Sequence, residues 1–232
     1  MPDTRRGFHD ELEALQREIL EMGELAGDAV QHAVHAVVFR DSNEAQAVID
    51  ADDEVDARYL DIDQRTLQTL ALQTPVAADL RLVSAIIHVN LHLERTGDQA
   101  VNVAKLHLLT EDLPGSDAMR GQIREMGDLV VRMLRTAMEA FDRRDLDLSL
   151  QLPKMDDPVD RLNRAAHLEA LKLAEDPRAL DWGLHMNLAA RALERVGDNA
   201  VDIAEQTGFL ITGEFREFTD ASHEVEAPGA AG

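Results

Sequence analysis

The chain has 232 residues, 45% of them hydrophobic, with no cysteine and a formal net charge of −22. That length suits one or two domains with a real core, and the missing cysteine excludes disulfides and thiolate metal sites. The charge argues against direct nucleic-acid binding, which needs clustered Lys and Arg, and against lying on an anionic membrane unless a metal or basic patch reverses the local sign.

Aromatic residues make up only 3%. The abundance of Ala, Leu, Glu, Gln and Arg favours helix over strand, so the expected class is all-α. No run of about twenty apolar residues is present, so no membrane-spanning helix is expected. Met1 to Asp10 is polar and lacks a signal-peptide apolar core, which makes a cytoplasmic location the expectation.

The first helix is predicted over residues 5–40. Leu12, Leu15, Ile19, Met22, Ala26, Ala29, Ala33 and Ala36 recur at alternating steps of three and four, the spacing of a helix-packing seam. Asp41 or Ser42 can cap a second helix reaching about Leu72. Thr74-Pro75 then predicts the start of a third, with Thr at the N-cap and Pro at N1, running from about Val76 to Leu109. Pro114-Gly115 breaks the chain. A fourth helix is predicted over Ala118 to Arg143. A fifth opens at Asp145 and contains Pro153 and Pro158, which should kink it or divide it. Asp176-Pro177 starts a sixth, ending at Thr212 before Gly213. The plan is two three-helix bundles, residues 1–112 and 116–213, related by a pseudo-two-fold. Residues 214–232 are expected to form a disordered acidic tail.

The plan is reinforced by a duplication. Residues 93–105 read Leu-Glu-Arg-Thr-Gly-Asp-Gln-Ala-Val-Asn-Val-Ala-Lys, and 193–205 read Leu-Glu-Arg-Val-Gly-Asp-Asn-Ala-Val-Asp-Ile-Ala-Glu. At about 100° per residue, Glu94 and Asp98 share one face, in the column of Leu91, Ile87 and Leu80, on the apolar side of the helix or its edge. Arg95, Gln99, His88 and His92 turn the other way. The preceding helix carries Asp52 and Asp56, again four apart, with Asp52 among Val48, Val55 and Tyr59. The second half repeats both pairs as Asp156 with Asp160 and Glu194 with Asp198. Asn102 and Asp202 extend the two columns by one turn.

Successive helices joined by a short turn are antiparallel neighbours, so four carboxylates should converge in each half. Burying unpaired charge costs several kcal/mol. Proton uptake, arginine pairing or a metal can relieve it, and metal is the simplest remedy, because one cation neutralises several acids. All-oxygen donors suit Mg²⁺, Mn²⁺, Ca²⁺ or Fe³⁺, and Zn²⁺ also accepts carboxylates. A lone acid pair at this spacing is ordinarily a solvated helix face; four pairs at matching places are not. Gly97 and Gly197, in mid-helix, are read first as close helix packing and second as clearance for a metal cluster. His88 and His92, four apart, are read as a solvated pair. The Glu-x-x-His motif of di-iron bundles is missing, as are a phosphate-binding P-loop and a Gly-x-Ser-x-Gly elbow.

These residues carry a resemblance to a family. The doubled Leu-Glu-Arg-x-Gly-Asp-x-Ala-Val-x-Ile/Val-Ala pattern resembles PhoU proteins, accessory regulators of phosphate transport. Asp79-Leu80-Arg81, Asp52-Asp53-Glu54-Val55-Asp56, Met155 to Asp160, and Leu210-Ile211-Thr212-Gly213 resemble its other segments. The likeness covers about residues 5–213. It implies metal clusters of iron or zinc held by Asp52, Asp56, Glu94 and Asp98 in the first half and by Asp156, Asp160, Glu194, Asp198 and Asp202 in the second. It also implies a homo-oligomer that damps the Pst phosphate ABC transporter, through its ATPase, and helps hold the phosphate-sensing histidine kinase in its inhibitory state. The chain departs from the pattern in three ways. The second half lacks an Asp-Leu-Arg segment, Pro158 interrupts its acidic motif, and its Asp160–Glu194 interval is four residues shorter than Asp56–Glu94. Two other classes remain: a carboxylate-bridged metal hydrolase or oxygen-handling enzyme, and an acidic scaffold without metal.

Overall fold

The computed structural model describes residues 2–218, and the described chain is all helix and connecting turn. The helices are α1 (Pro2–Phe39), α2 (Ser42–Gln73), α3 (Ala77–Leu109), α4 (Asp117–Arg143), the single-turn α5 (Leu146–Ser149), α6 (Leu152–Leu171) and α7 (Pro177–Thr212). The seam read on the first helix is the buried face of α1: Leu12, Leu15, Ile19, Met22, Ala26, Ala33 and Ala36 are all sealed from solvent. Helices α1, α2 and α3 pack on one another, as do α4, α6 and α7. The two groups join where α3 lies along α7 and α1 along α4, and one hydrophobic core runs through both.

Most helix ends follow local chemistry. The Asp41 carboxylate accepts the N–H groups of Asn43 and Glu44 at 3.0 and 3.1 Å. Ser116 caps α4 through the N–H of Met119, and Asp176 caps α7 through that of Arg178, with Pro177 in the first turn. Gly213 ends α7 at φ +76°, a backbone that glycine adopts without a Cβ penalty.

Two expectations are corrected and one open alternative is decided. Thr74 does not cap α3; it ends α2 in the left-handed region (φ 43°, ψ 59°), its N–H donating to the Leu70 carbonyl. A residue before proline is pushed out of the right-handed helical region, so Pro75 stops the helix before it rather than starting the one after. Extended Val76 becomes the N-cap, without a side-chain bond. The fifth helix is divided rather than kinked: α5 closes at Ser149, Pro153 sits in the first turn of α6, and α6 continues through Pro158. The expected disordered tail begins in order. The Phe218 ring packs against the core, and its N–H donates to Glu205 Oε1 at 2.6 Å. The rest of that tail, 219–232, lies outside the described residues.

Candidate functional site

In the first half, α2 and α3 pack directly, and spacing by four places each acid pair on one helix face. A Cβ added to Gly97 would stand 3.2 Å from Val55 Cγ1 and 3.6 Å from Asp52 Oδ1, so Asp52 lies against α3 between the levels of Glu94 and Asp98. Asp52 and Glu94 are half-buried, while Asp56 and Asp98 are exposed. Burial pushes the Asp52 carboxyl above its ordinary pKa, and repulsion from Asp56 and Asp98 adds to it. Glu94 is raised likewise, by burial first and then by Asp98 and Asp56. Each pair therefore feels the other across the helix contact.

In the second half the acids sit deeper. Asp156 and Glu194 are buried, at 9% and 8% exposure, with Asp160 half-buried and Asp198 exposed. A Cβ on Gly197 would stand 2.6 Å from Asp156 Oδ1, closer than atoms approach without something shifting. Here the mid-helix glycine clears room for a carboxylate of α6, whereas at Gly97 the nearest neighbour is the methyl group of Val55. At both positions the glycine allows close helix packing, the first of the two readings. Burial raises the Glu194 pKa, and Asp198 raises it further, while Arg191 pulls the other way. Arg191 Nη1 donates to Glu194 Oε1 at 2.7 Å, and Glu194 Oε2 is buried with no hydrogen-bond partner among the described residues. Arg164 stands 3.5 Å from Asp160.

The donor chemistry fits a hard cation. Each half offers four carboxylates from two helices; in the second, a glycine leaves room for one of them and a buried Glu194 oxygen is unsatisfied. As the side chains stand, no group of three or more His, Asp or Glu among the described residues closes around one ion position. The acids are held in electrostatic reach of one another and splayed.

Asp202 lies elsewhere. Its carboxylate is 3.4 Å from His92 Nδ1 across the α3–α7 contact, and the same nitrogen is 3.2 Å from Asn199 Oδ1. Burial holds Asp202 above the ordinary aspartate pKa, against the opposing charge of His92. His92 is therefore corrected from a solvated residue to one at 9% exposure. At His92 the side of α3 that read as polar meets α7, whereas His88 and Arg95 are exposed as expected. Arg191 was missed, although its place three residues before Glu194 was a signal, since that spacing brings side chains together on a helix.

No described helix is long and apolar enough to cross a membrane. Two segments, residues 19–106 and 123–207, match the family described as the PhoU domain. The chain is 37% identical over 220 residues to a phosphate-specific transport system accessory protein PhoU homolog of Pseudomonas aeruginosa, covering 93% of this chain and 88% of the relative. A protein of the same description from Caulobacter vibrioides is 33% identical over 212 residues, covering 91% and 92%. The crystal structure of PhoU from Pseudomonas aeruginosa superposes with a TM-score of 0.85 at 36% identity, over 89% of this chain and 100% of that one. That of the phosphate transport system regulatory protein PhoU from Streptococcus pneumoniae gives 0.82 at 28% identity, over 90% and 99%.

Proposed function

The chain belongs to the PhoU family, and we propose that it is a cytoplasmic regulator of phosphate uptake and phosphate-starvation signalling rather than an enzyme. In this reading it damps the phosphate ABC transporter through contact with its ATPase and helps keep the phosphate-sensing histidine kinase inhibitory. The observation that carries the reading is full-length likeness to relatives named as accessory proteins of the phosphate-specific transport system, with both halves of the duplication matched.

The proposed cation ligands are Asp52, Asp56, Glu94 and Asp98 in the first half, and Asp156, Asp160, Glu194 and Asp198 in the second. Iron or zinc are the family's metals; the carboxylate donors also suit Mg²⁺, Mn²⁺ or Ca²⁺. The ion supplies positive charge that offsets carboxylate repulsion. The protein supplies two helices per half that carry the acid pairs and, in the second half, a glycine that admits one of them. A rigid pair of bundles is what an adaptor needs to present its long helices to partners.

The test is affinity capture of the tagged full chain from its own cells, grown with ample and with scarce phosphate. Recovery of the transporter ATPase or the kinase, changing with phosphate, is expected. Absence of both under either condition would overturn the adaptor role.

A further inference from the structure

Where α1 packs on α4, Gly127 brings the helices close: a Cβ there would stand 2.7 Å from both γ-carbons of Val34. Beside this contact, residues 31–39 of α1 and 124–135 of α4 border a cleft of about 650 Å³. Its floor is apolar, with Val34 and Val131 buried. Its rim carries Arg124, Arg132 and Arg135. In a chain with 45 acidic and 23 basic residues, three arginines at one cleft are not average surface. Among the described residues none of the three has a carboxylate at ion-pair distance. Arg132 donates to the Asp128 carbonyl of its own helix, and Arg135 to the Gln31 side-chain oxygen at 3.4 Å. A guanidinium is a fork of donors that matches a phosphate, and these forks are largely unengaged.

The order of groups along the cleft narrows the class of anion. At one end the Arg124 guanidinium lies 5.1 Å over the Phe39 ring, the His35 ring stands 4.2 Å from the same ring, and Phe39 is still 58% exposed. Flat aromatic and guanidinium surfaces of this kind stack planar bases. One turn on, Asp128 puts a negative charge in the row. An unbroken chain of phosphates would be repelled there, whereas a sugar would offer the carboxylate hydroxyl donors. Further along stand Arg132 and Arg135, three apart and so on one face. Arg124 to Arg135 spans roughly 17 Å of helix, the scale of an extended nucleotide. Beyond Arg135 the sign reverses. The next cleft along the seam carries Glu24, Asp28, Glu139 and Asp142, and its Arg143 is already tied to Glu139 at 2.6 Å. A nucleic-acid strand would run on into those acids; a small molecule would not.

We propose that this cleft binds a nucleoside di- or triphosphate. The base lies on the Phe39–Arg124 stack, the sugar beside Asp128, and the phosphates on Arg132 and Arg135. The apolar floor and the stack supply burial, and the arginines fix the orientation through charge-assisted hydrogen bonds. Because α1 belongs to the first bundle and α4 to the second, the ligand bridges the two halves. The inference needs neither the metal nor the adaptor reading.

Equilibrium dialysis of the full chain against ATP, GTP, adenosine and inorganic tripolyphosphate tests it. At least one of the two nucleotides should bind saturably, one per chain. Adenosine and tripolyphosphate each make only part of the contacts and should bind at least about tenfold more weakly. Arg132→Ala with Arg135→Ala should weaken the nucleotide by about tenfold or more at an unchanged melting temperature. Arg143→Ala with Arg216→Ala, the same loss of charge elsewhere, should bind as wild type does. Phe39→Ala should weaken the nucleotide and leave tripolyphosphate as it was. A nucleotide held instead by a cation on the carboxylates would still bind fully to the Arg132/Arg135 variant. That result, no saturable binding of either nucleotide, or tripolyphosphate binding as tightly as the nucleotide would each overturn the proposal.

Discussion

The two acid sets are copies in sequence but not in environment. In the first half, Asp56 and Asp98 are open to water, and only Asp52 and Glu94 are half-covered. In the second, Asp156 and Glu194 lie inside the bundle, one against Gly197 and the other held by Arg191. The shorter spacing and Pro158 do not open the second set. Glu94 and Glu194 stand equally far, seventeen residues, from the starts of α3 and α7. The missing turn comes off the far end of α6, which closes at Leu171. Duplication therefore preserved the acid types and register, while the depth of burial drifted with the helix that covers them. Depth decides how costly the uncompensated charge is, because water screens an exposed carboxylate and not a buried one.

Metal removal should give the largest effect. If both halves hold ions at about a hundredfold excess over their dissociation constants, chelation removes about 3 kcal/mol of stability per site. For each site emptied, that lowers the melting temperature by roughly 6–12 °C in a chain of this size. Elemental analysis during dialysis against a chelator should show the exposed first half emptying before the second, with Asp98→Ala and Asp198→Ala identifying each pool. Protein that carries no metal as purified from cells, and melts identically with chelator, would dispose of the cation centres.

Next come the paired glycines. Alanine in mid-helix gains about 1 kcal/mol over glycine, but overpacking costs about 1–3 kcal/mol. At Gly197 the new Cβ meets a buried carboxylate oxygen at 2.6 Å, so Gly197→Ala should lose about 1–2 kcal/mol in urea unfolding. At Gly97 the contact is a methyl group at 3.2 Å, and Gly97→Ala should stay within about 0.5 kcal/mol of wild type. Equal costs at both positions would contradict the difference in depth.

The smallest effect separates the halves by pH. His107, near the end of α3, is buried, with Nε2 unpartnered among the described residues; the matching position of α7 holds Thr207. Burial lowers the His107 pKa, Glu111 and Asp41 oppose this and Arg40 reinforces it. The unfolded chain therefore takes up the proton first, and stability falls as pH drops through the ordinary histidine value toward the folded one. Melts between pH 7.5 and 5.5 should show part of that slope flattened by His107→Gln. An unchanged slope would remove His107 from the account.

The acid pairs were legible because spacing by four is a local property: the helix alone sets which side chains share a face. The partners of those acids were harder to read. Arg191 sits on the same helix as Glu194 and was within reach of the rule. The His92–Asp202 contact joins residues 110 positions apart, and nothing in either helix marks the other as its neighbour. Thr74 was misread because Thr-Pro serves both as a helix start and as the end of the helix before it.

What the sequence by itself determined was the helical class, the doubled plan, the capping at Asp41, Asp176 and Gly213, and the register of Glu94-x-x-x-Asp98 and its copy. Those are fixed by side chains within a few residues of one another, through periodicity and hydrogen bonds to nearby backbone. Only the tertiary structure decided that His92 of α3 faces α7, that Phe218 returns to the core, and that Asp156 and Glu194 are sealed while Asp56 and Asp98 are not. Burial depends on which distant helix lies across a face, and a helical wheel gives the direction of a side chain but not what stands opposite it.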